Sequence, residues 1–304
     1  MEHLSLLLND IRAAMPALDL RENEPMAQHC SFRIGGPAAA LALPRSTEEL
    51  EALCAYLRTA GVRPLLIGNG TNILPPDRGL DRFVIASCPG VGRVEVAGDS
   101  LTANCGATLA SAAMAAAGAG LTGLEFAHGI PGSVGGGVIM NAGAYGGELK
   151  DAVVETEYLD EDLVRRTVTG SEHGFSYRHS VFSGREVVLL RTRFVLAPGD
   201  RDAIQGKMRQ LAAKRRASQP LEMPSAGSTF KRPAGGYASA LIDQAGLRGC
   251  SVGGAQVSEK HAGFVVNTGN ATCADVLRLM EHIQKTVYAR SGIQLEPEVL
   301  VLGR

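Results

Sequence analysis

"GIPGSVGGGVIMNAGAYGG", residues 129–147, carries eight glycines in nineteen positions. Ordering that many glycines costs chain entropy. The cost makes sense where backbone must pass close to a flat or charged ligand. Ser133 and the Gly135, Gly136 and Gly137 amides are placed to reach a phosphate. A second glycine turn lies upstream, "GNGTN" (68–72), directly after the apolar run Leu65-Leu66-Ile67. It lacks the Gly-Lys-Ser/Thr ending of a P-loop, and Pro75-Pro76 block the helix that a nucleotide fold needs next. Two readings of that turn stand side by side: an anion-binding nest of backbone N–H groups helped by Thr71 and Asn72, or an ordinary strand–turn–strand connection. Two glycine segments far apart in the chain point to one long diphosphate cofactor spanning both.

A literal G-x-G-x-x-G occurs elsewhere, at "GAGLTG" (118–123). A dinucleotide fingerprint must follow a strand and open a helix. Here it follows the small-residue helix pattern "ATLASAAMAAAG" (107–118), where glycine is expected as a C-cap. The match is compositional.

Around these segments the chain alternates between helix and strand signals. Ser46-Thr47-Glu48-Glu49 reads as a capping box, Leu50, Leu53 and Leu57 follow at helical spacing, and Gly61 ends the helix. "VRPLLIG" (62–68), "VEVAG", "LTANCG", "AVVETEYLD" and "EVVLLRTRFVLAPG" read as strands. A charged helix is expected over about 201–217, a strand at "GFVVN" (263–267), and a helix from Thr272 to about Arg290 with Val276, Met280, Ile283 and Val287 on its apolar face. "IQLEPEVLVLG" reads as a final strand. Composition shifts place boundaries near residues 90 and 200.

The 304 residues suffice for two or three compact domains. A net charge of −1 offers no positive excess to neutralise phosphates, which argues against a nucleic-acid partner. The N-terminus has only the short apolar run Leu4 to Leu8, interrupted by Ser5, where a signal peptide needs a basic start and a longer core. No segment approaches the roughly 18 apolar residues of a membrane span. The cysteines at 30, 54, 88, 105, 250 and 273 form no C-x-x-C pair, and His128, His179 and His261 show no metal-ligand spacing. A cytoplasmic chain with reduced thiols and no metal site is expected.

"STFK" (228–231) matches the Ser-x-x-Lys signature of penicillin-recognising enzymes. That chemistry needs a helix starting at the serine, so that Lys lies one turn on beside the hydroxyl. Pro233 and Gly235-Gly236 oppose such a helix, and the partner motifs Ser-Asp-Asn and Lys-Thr-Gly are absent. Ser228 is therefore not read as an acylated nucleophile. Arg178, among the aromatic residues of "FSYRHSVF", suits either an anion clamp or a structural role. Glu298, beside Pro297 in an apolar run, is either a site carboxylate or a solvated one. Lys214-Arg215-Arg216 either bind phosphate or complement a helix dipole.

Set side by side, "SFRIGGPA" (31–38), "LIGNGTNIL" (66–74), "GIPGSVGG" (129–136), "MNAGAYGGE" (140–148), "YRHSVF" (177–182), "AGSTFKRP" (226–233), "GGAQVSEKHAGFVVN" (253–267) and "LEPEVLVLG" (295–303) resemble, in order and over nearly the whole chain, the UDP-N-acetylenolpyruvoylglucosamine reductase family. These are flavoenzymes of the second step of peptidoglycan precursor synthesis. The resemblance implies an α+β fold of three domains. Residues 1–90 and 91–200 would form a FAD-binding region of the vanillyl-alcohol oxidase (PCMH) type, and 201–304 a substrate-binding domain whose last strand returns to the active site.

The resemblance also implies site residues. Gly68, Asn69, Gly70, Thr71, Asn72, Gly132, Ser133, Gly135 and Gly136 match loops that hold the FAD pyrophosphate. Asn69 and Thr71 stand where a covalent link would need His or Cys, so non-covalent FAD is expected, with His128 next to the second loop. Ser228 matches the family's proton donor, Arg178 its active-site arginine and Glu298 its active-site glutamate. NADPH would be co-substrate and UDP-N-acetylglucosamine enolpyruvate the substrate, with Tyr177, Lys231, Gln256 and His261 as further contacts. Lys231 is the cation nearest in sequence to Ser228. Arg232 stands where some relatives carry Asn. The short chain after Tyr177 points to the form without an inserted substrate-covering loop, and a monomer is expected. The rival readings are a flavin oxidase or dehydrogenase on the same scaffold, which leaves the C-terminal motifs unexplained, and a nucleotide-sugar binding module, which needs no Ser228, Arg178 and Glu298 together.

Overall fold

The computed structural model describes residues 2–87 and 91–303. Cys88 and the boundary expected near residue 90 lie at or within the undescribed stretch. The chain forms two compact units, neither continuous in sequence: one from Met1–Glu22, Ala40–Asn69 and Arg82–Lys214, the other from Asn23–Ala39, Gly70–Asp81 and Arg215–Arg304.

The first unit is built on a five-stranded antiparallel sheet in the order Arg165–Thr169, Val153–Leu159, Val188–Val195, Ser100–Asn104, Val94–Ala97. Its core joins Leu101, Ala103, Leu189 and Phe194 to the helix Leu109–Gly118. Thr108 caps that helix by accepting from the Ser111 N–H, and buried Ala112, Ala113, Ala116 and Ala117 let it sit close to its neighbours. Gly120, at φ +74°, follows its end, so the "GAGLTG" glycines terminate a helix rather than open one.

A second cluster packs Leu8 and Ile11 of helix Glu2–Ala14 with Leu50, Leu53 and Leu57 of helix Thr47–Thr59, Phe83 and Ile85. Leu65–Ile67 pairs parallel with Val84, Ile85 and Ala86, which carries the chain to Gly68. Ser46 accepts from the Glu49 N–H at 3.1 Å, but the reciprocal half of the expected capping box does not form. Glu49 turns instead to Arg45, taking its backbone N–H at 2.6 Å and its guanidinium at 3.1 Å. Buried polar groups in the sheet are paired: the Thr156 and Thr192 hydroxyls lie 3.3 Å apart, and His173 meets Thr156 at 3.0 Å and the Gly170 carbonyl at 3.0 Å.

The second unit has the four-stranded sheet Ser225–Ser228, Phe264–Asn267, Ala255–Val257, Ser251–Val252, antiparallel throughout. Helix Cys273–Ser291 packs on its last two strands and buries Val276, Met280, Ile283 and Val287, the expected face, together with Leu279. All four amides of its first turn find acceptors. Thr272 and Asp275 cap each other at 3.0 Å, and Asp77 takes the Cys273 N–H at 2.7 Å and the Ala274 N–H at 3.0 Å. Asp77→Ala removes two acceptors and a favourable charge at the positive end of the helix. It is expected to lower stability by about 1–2 kcal/mol, read as the shift in a denaturant midpoint. An unchanged midpoint would show that water replaces the carboxylate at no cost.

The final segment departs from expectation. Only Leu300–Val301 is strand, paired parallel with Ile73 and Leu74. Upstream, Pro297 forms an isolated bridge with Phe230, and having no N–H it cannot extend a ladder. The segment is held at single points: Lys231 N–H to the Glu296 carbonyl and Glu298 N–H to the Thr229 carbonyl, both at 2.8 Å.

Among the described residues no helix is long and apolar enough to cross a membrane. Cys30, Cys54, Cys105, Cys250 and Cys273 are free thiols. Burial pushes the Cys54 thiol up to about 12, which leaves it protonated and inert.

Candidate functional site

The glycine-rich segment is more ordered than a loop. Ser133 caps a short helix, Val134–Ile139, accepting from Gly136 N–H at 3.2 Å. The Gly135 amide donates to the Cys105 carbonyl and that of Gly137 to the Ser133 carbonyl. These three amides, expected to face a phosphate, are thus bonded within the protein. The glycines answer a packing demand: a Cβ on Gly135 would lie 2.9 Å from the Cys105 Cβ, and one on Gly137 would lie 2.9 Å from Leu149 and 3.0 Å from Leu109.

The first glycine turn comes against this helix. A Cβ on Gly68 would sit 2.2 Å from the Ser133 hydroxyl, and Asn69 donates its side-chain amide to the Pro131 carbonyl at 2.9 Å. A cavity of about 470 Å³ opens here, lined by Gly68, Ser133, Gly135 and Gly136, by apolar Val62, Ile139 and Leu189, and by Arg58, Arg63 and Arg185. That volume is in the range of small-molecule sites, and glycine backbone with an apolar wall suits a flat ring, while Glu161, Asp162 and Glu186 of the same lining balance the three arginines. Gly132 and Asn69 support the wall rather than line it; the Gly132 carbonyl accepts from Leu109 N–H. Arg185 forms a two-point ion pair with Glu161, which holds the Glu161 carboxyl at about 2. His128 is half-buried in a single turn, Ala127–Gly129.

The rest of the first turn belongs to the second unit. Gly70 has φ +62°, and a Cβ there would lie 2.0 Å from the His29 carbonyl, so only glycine fits. Thr71 is half-buried. Asn72 donates to the Glu298 carbonyl at 3.0 Å and accepts from Leu300 N–H at 2.9 Å, so it fixes the Glu298 segment.

In the first unit Arg178 occupies a tight turn closed by reciprocal Ser176–His179 backbone bonds. Its φ is +55°, its guanidinium lies 5.0 Å from the ring centre of the exposed Tyr177, and it donates to the Gly143 carbonyl at 3.5 Å. Nearby Glu148 pairs with Lys150 at 2.7 Å. The Lys150 bond, an Asn141 bond and the charge of Arg178 hold the Glu148 carboxyl below its ordinary value against partial burial.

In the second unit Ser228 ends a strand broken by a register shift at Gly227, whose φ is +75°. This bulge turns the Ser228 side chain to an exposed position, while Thr229 is buried and accepts from Val265 N–H. No helix follows until Ala238, so the Ser-x-x-Lys geometry is absent. Glu298, half-buried, is tied to the residue after Ser228 by its N–H. Lys231 sends its ammonium to Glu296 at 3.4 Å.

Gln256 donates to the Gly249 carbonyl at 3.2 Å. His261 accepts from Gly263 N–H at 3.1 Å and stands edge-on to Phe264, with burial lowering its pKa so that it is neutral near pH 7. Arg232 stacks over Tyr237 at 4.4 Å, a pair with no sequence signal beyond the nearness of a cation and an aromatic ring. Among the described residues no group of three or more His, Cys, Asp or Glu side chains gathers to hold a metal ion.

Comparison with known proteins assigns both parts of the chain. Residues 38–163 match the family described as FAD binding domain, and residues 219–302 match UDP-N-acetylenolpyruvoylglucosamine reductase, C-terminal domain. The reductase of that name from Caldanaerobacter subterraneus subsp. tengcongensis is 47% identical, with 98% of each chain covered. The one from Agathobacter rectalis is also 47% identical, over 97% of this chain and 98% of its own. The crystal structure of UDP-N-acetylenolpyruvylglucosamine reductase from Thermus caldophilus superposes with a TM-score of 0.79 at 32% identity, covering 93% of this chain and 98% of that one.

Proposed function

The chain belongs to the UDP-N-acetylenolpyruvoylglucosamine reductase family, FAD-containing oxidoreductases of peptidoglycan synthesis, and from that premise we propose that it reduces UDP-N-acetylglucosamine enolpyruvate to UDP-N-acetylmuramate at the expense of NADPH. The observation that carries this reading is Ser228, exposed on a glycine bulge and backbone-linked through Thr229 to Glu298, inside the segment that matches the reductase C-terminal domain. FAD, held non-covalently, supplies when bound a carrier that accepts hydride from NADPH and delivers it to the terminal methylene carbon of the enolpyruvyl group.

The chain's own groups complete the addition. Hydride at the methylene carbon leaves an electron pair on the adjacent carbon and its carboxylate. Arg178, permanently charged and able to bond in two places, holds that carboxylate. Glu298, when its carboxyl carries a proton, hydrogen-bonds the developing enolate-like oxygen. Ser228 gives its proton to the carbon and regains one from solvent, which balances the two-electron, two-proton reduction.

The helix capped by Ser133 and the Gly68–Asn72 turn are the segments that would support the cofactor's diphosphate, with the Gly135, Gly136 and Gly137 N–H groups engaged internally. Tyr177, Lys231, Gln256 and His261 are contacts for the UDP-sugar. The protein acts as a cytoplasmic monomer of the form without a substrate-covering insertion. A flavin oxidase on the same scaffold would leave the match over residues 219–302 without a purpose.

The purified protein is expected to show visible flavin absorption that NADPH bleaches in the absence of oxygen. A colourless protein that cannot be reconstituted with FAD would contradict the reading.

A further inference from the structure

Asn141 is fully buried, adopts φ +44°, and uses every polar atom of its side chain. Its Nδ2 donates to the Ser176 carbonyl and to Glu148 Oε2, each at 3.0 Å, and its Oδ1 accepts from Lys150 N–H at 2.9 Å. Ser176 is the first residue of the turn that carries Arg178. On the other side of the turn, Ser180 and Ser183 donate their hydroxyls to the Ile139 carbonyl at 2.8 and 3.0 Å. Arg178 is therefore bracketed two residues before and two residues after by partly buried side-chain bonds to the segment that follows Ser133.

The bracket has a physical purpose. Arginine in the left-handed region costs about 1–2 kcal/mol relative to its ordinary conformations. Such a residue stays there only when its surroundings hold it. The same Asn141 amide group also fixes Glu148, whose carboxylate feels the Arg178 charge, and Glu148 pairs in register with Gly143, whose carbonyl accepts from the guanidinium. One side chain thus sets both the backbone under Arg178 and the acceptors beside its guanidinium.

We infer that Asn141 is a positioning residue for the reductive reaction, acting through Arg178 to hold the guanidinium where the substrate carboxylate is bound. The inference rests on the proposed reaction. A buried asparagine that merely tied loops together would contribute to stability alone, and catalysis distinguishes the two.

Asn141→Gly tolerates φ +44° and removes only the side chain. Anaerobic reduction of its flavin by NADPH should stay within about twofold of the parent, while single-turnover reoxidation by UDP-N-acetylglucosamine enolpyruvate slows roughly 10- to 100-fold. In an Arg178→Ala background the same change should add no more than about twofold, because the two residues act as one unit. Asn141→Asp keeps the shape and the acceptor for Lys150 N–H, and serves if the glycine variant does not fold. Its loss of the donor should produce the same pattern. Independent, multiplicative losses in the double variant, or equal slowing of both half-reactions, overturn the inference. If the unsubstituted protein is not reoxidised by this substrate, the reaction itself is misassigned and the role of Asn141 falls with it.

Discussion

Ser228→Ala is expected to leave flavin reduction by NADPH within about twofold of the parent and to cut turnover of the enolpyruvyl substrate by roughly 100- to 10,000-fold, the range for removal of a general acid. The side chain is exposed, so the substitution should change stability by no more than about 0.5 kcal/mol. A serine hydroxyl is a weak acid, and the cation nearest in sequence is occupied, since the Lys231 ammonium pairs with Glu296. Lys231→Ala should therefore cost less than Ser228→Ala. Rapid mixing of each half-reaction separates the outcomes. Equal loss in both would mean that Ser228 supports the fold or the cofactor and donates no proton.

Arg178→Gly should separate stability from activity. Relief of the left-handed strain contributes about 1–2 kcal/mol, while the added freedom of the unfolded chain takes back about 0.4–1 kcal/mol. The variant should be as stable as the parent or slightly more so, measured by denaturant midpoint. Turnover should fall by about 100-fold or more, because a desolvated two-point charge contact to the substrate carboxylate is lost, worth about 2–5 kcal/mol. A stability loss above about 1 kcal/mol would show that the guanidinium's own interactions outweigh the strain of the left-handed backbone.

Much of the fold and part of the site are legible in the residues alone. The small-residue run 107–118 and the apolar face from Val276 to Val287 each mark a helix that forms, and Pro233 with Gly235-Gly236 removes the helix that would have made Ser228 a nucleophile. What stays hidden is long-range. Three glycines in a row oppose helix by local propensity, at about 1 kcal/mol each, yet Val134–Ile139 is a helix capped by Ser133, and Cys105, Leu109 and Leu149 leave no space for side chains at Gly135 and Gly137. Asp77 caps a helix 196 residues away in sequence. The Lys231 ammonium cannot be placed without Glu296. The compact units exchange segments along the chain, so no linear boundary expresses them. Of the proposed catalytic residues, Ser228 and Glu298 come together through the Thr229 backbone, a register that no local pattern encodes. Asn141 lies inside a family-like stretch, and its one local signal is the tolerance of asparagine for a left-handed conformation.

The most direct test of the account mixes NADPH-reduced protein, free of oxygen and of excess NADPH, with one equivalent of UDP-N-acetylglucosamine enolpyruvate. The flavin band should return in a single turnover, with one UDP-N-acetylmuramate formed per flavin. A flavin that stays bleached with this substrate, yet recovers on admission of oxygen, would contradict the account.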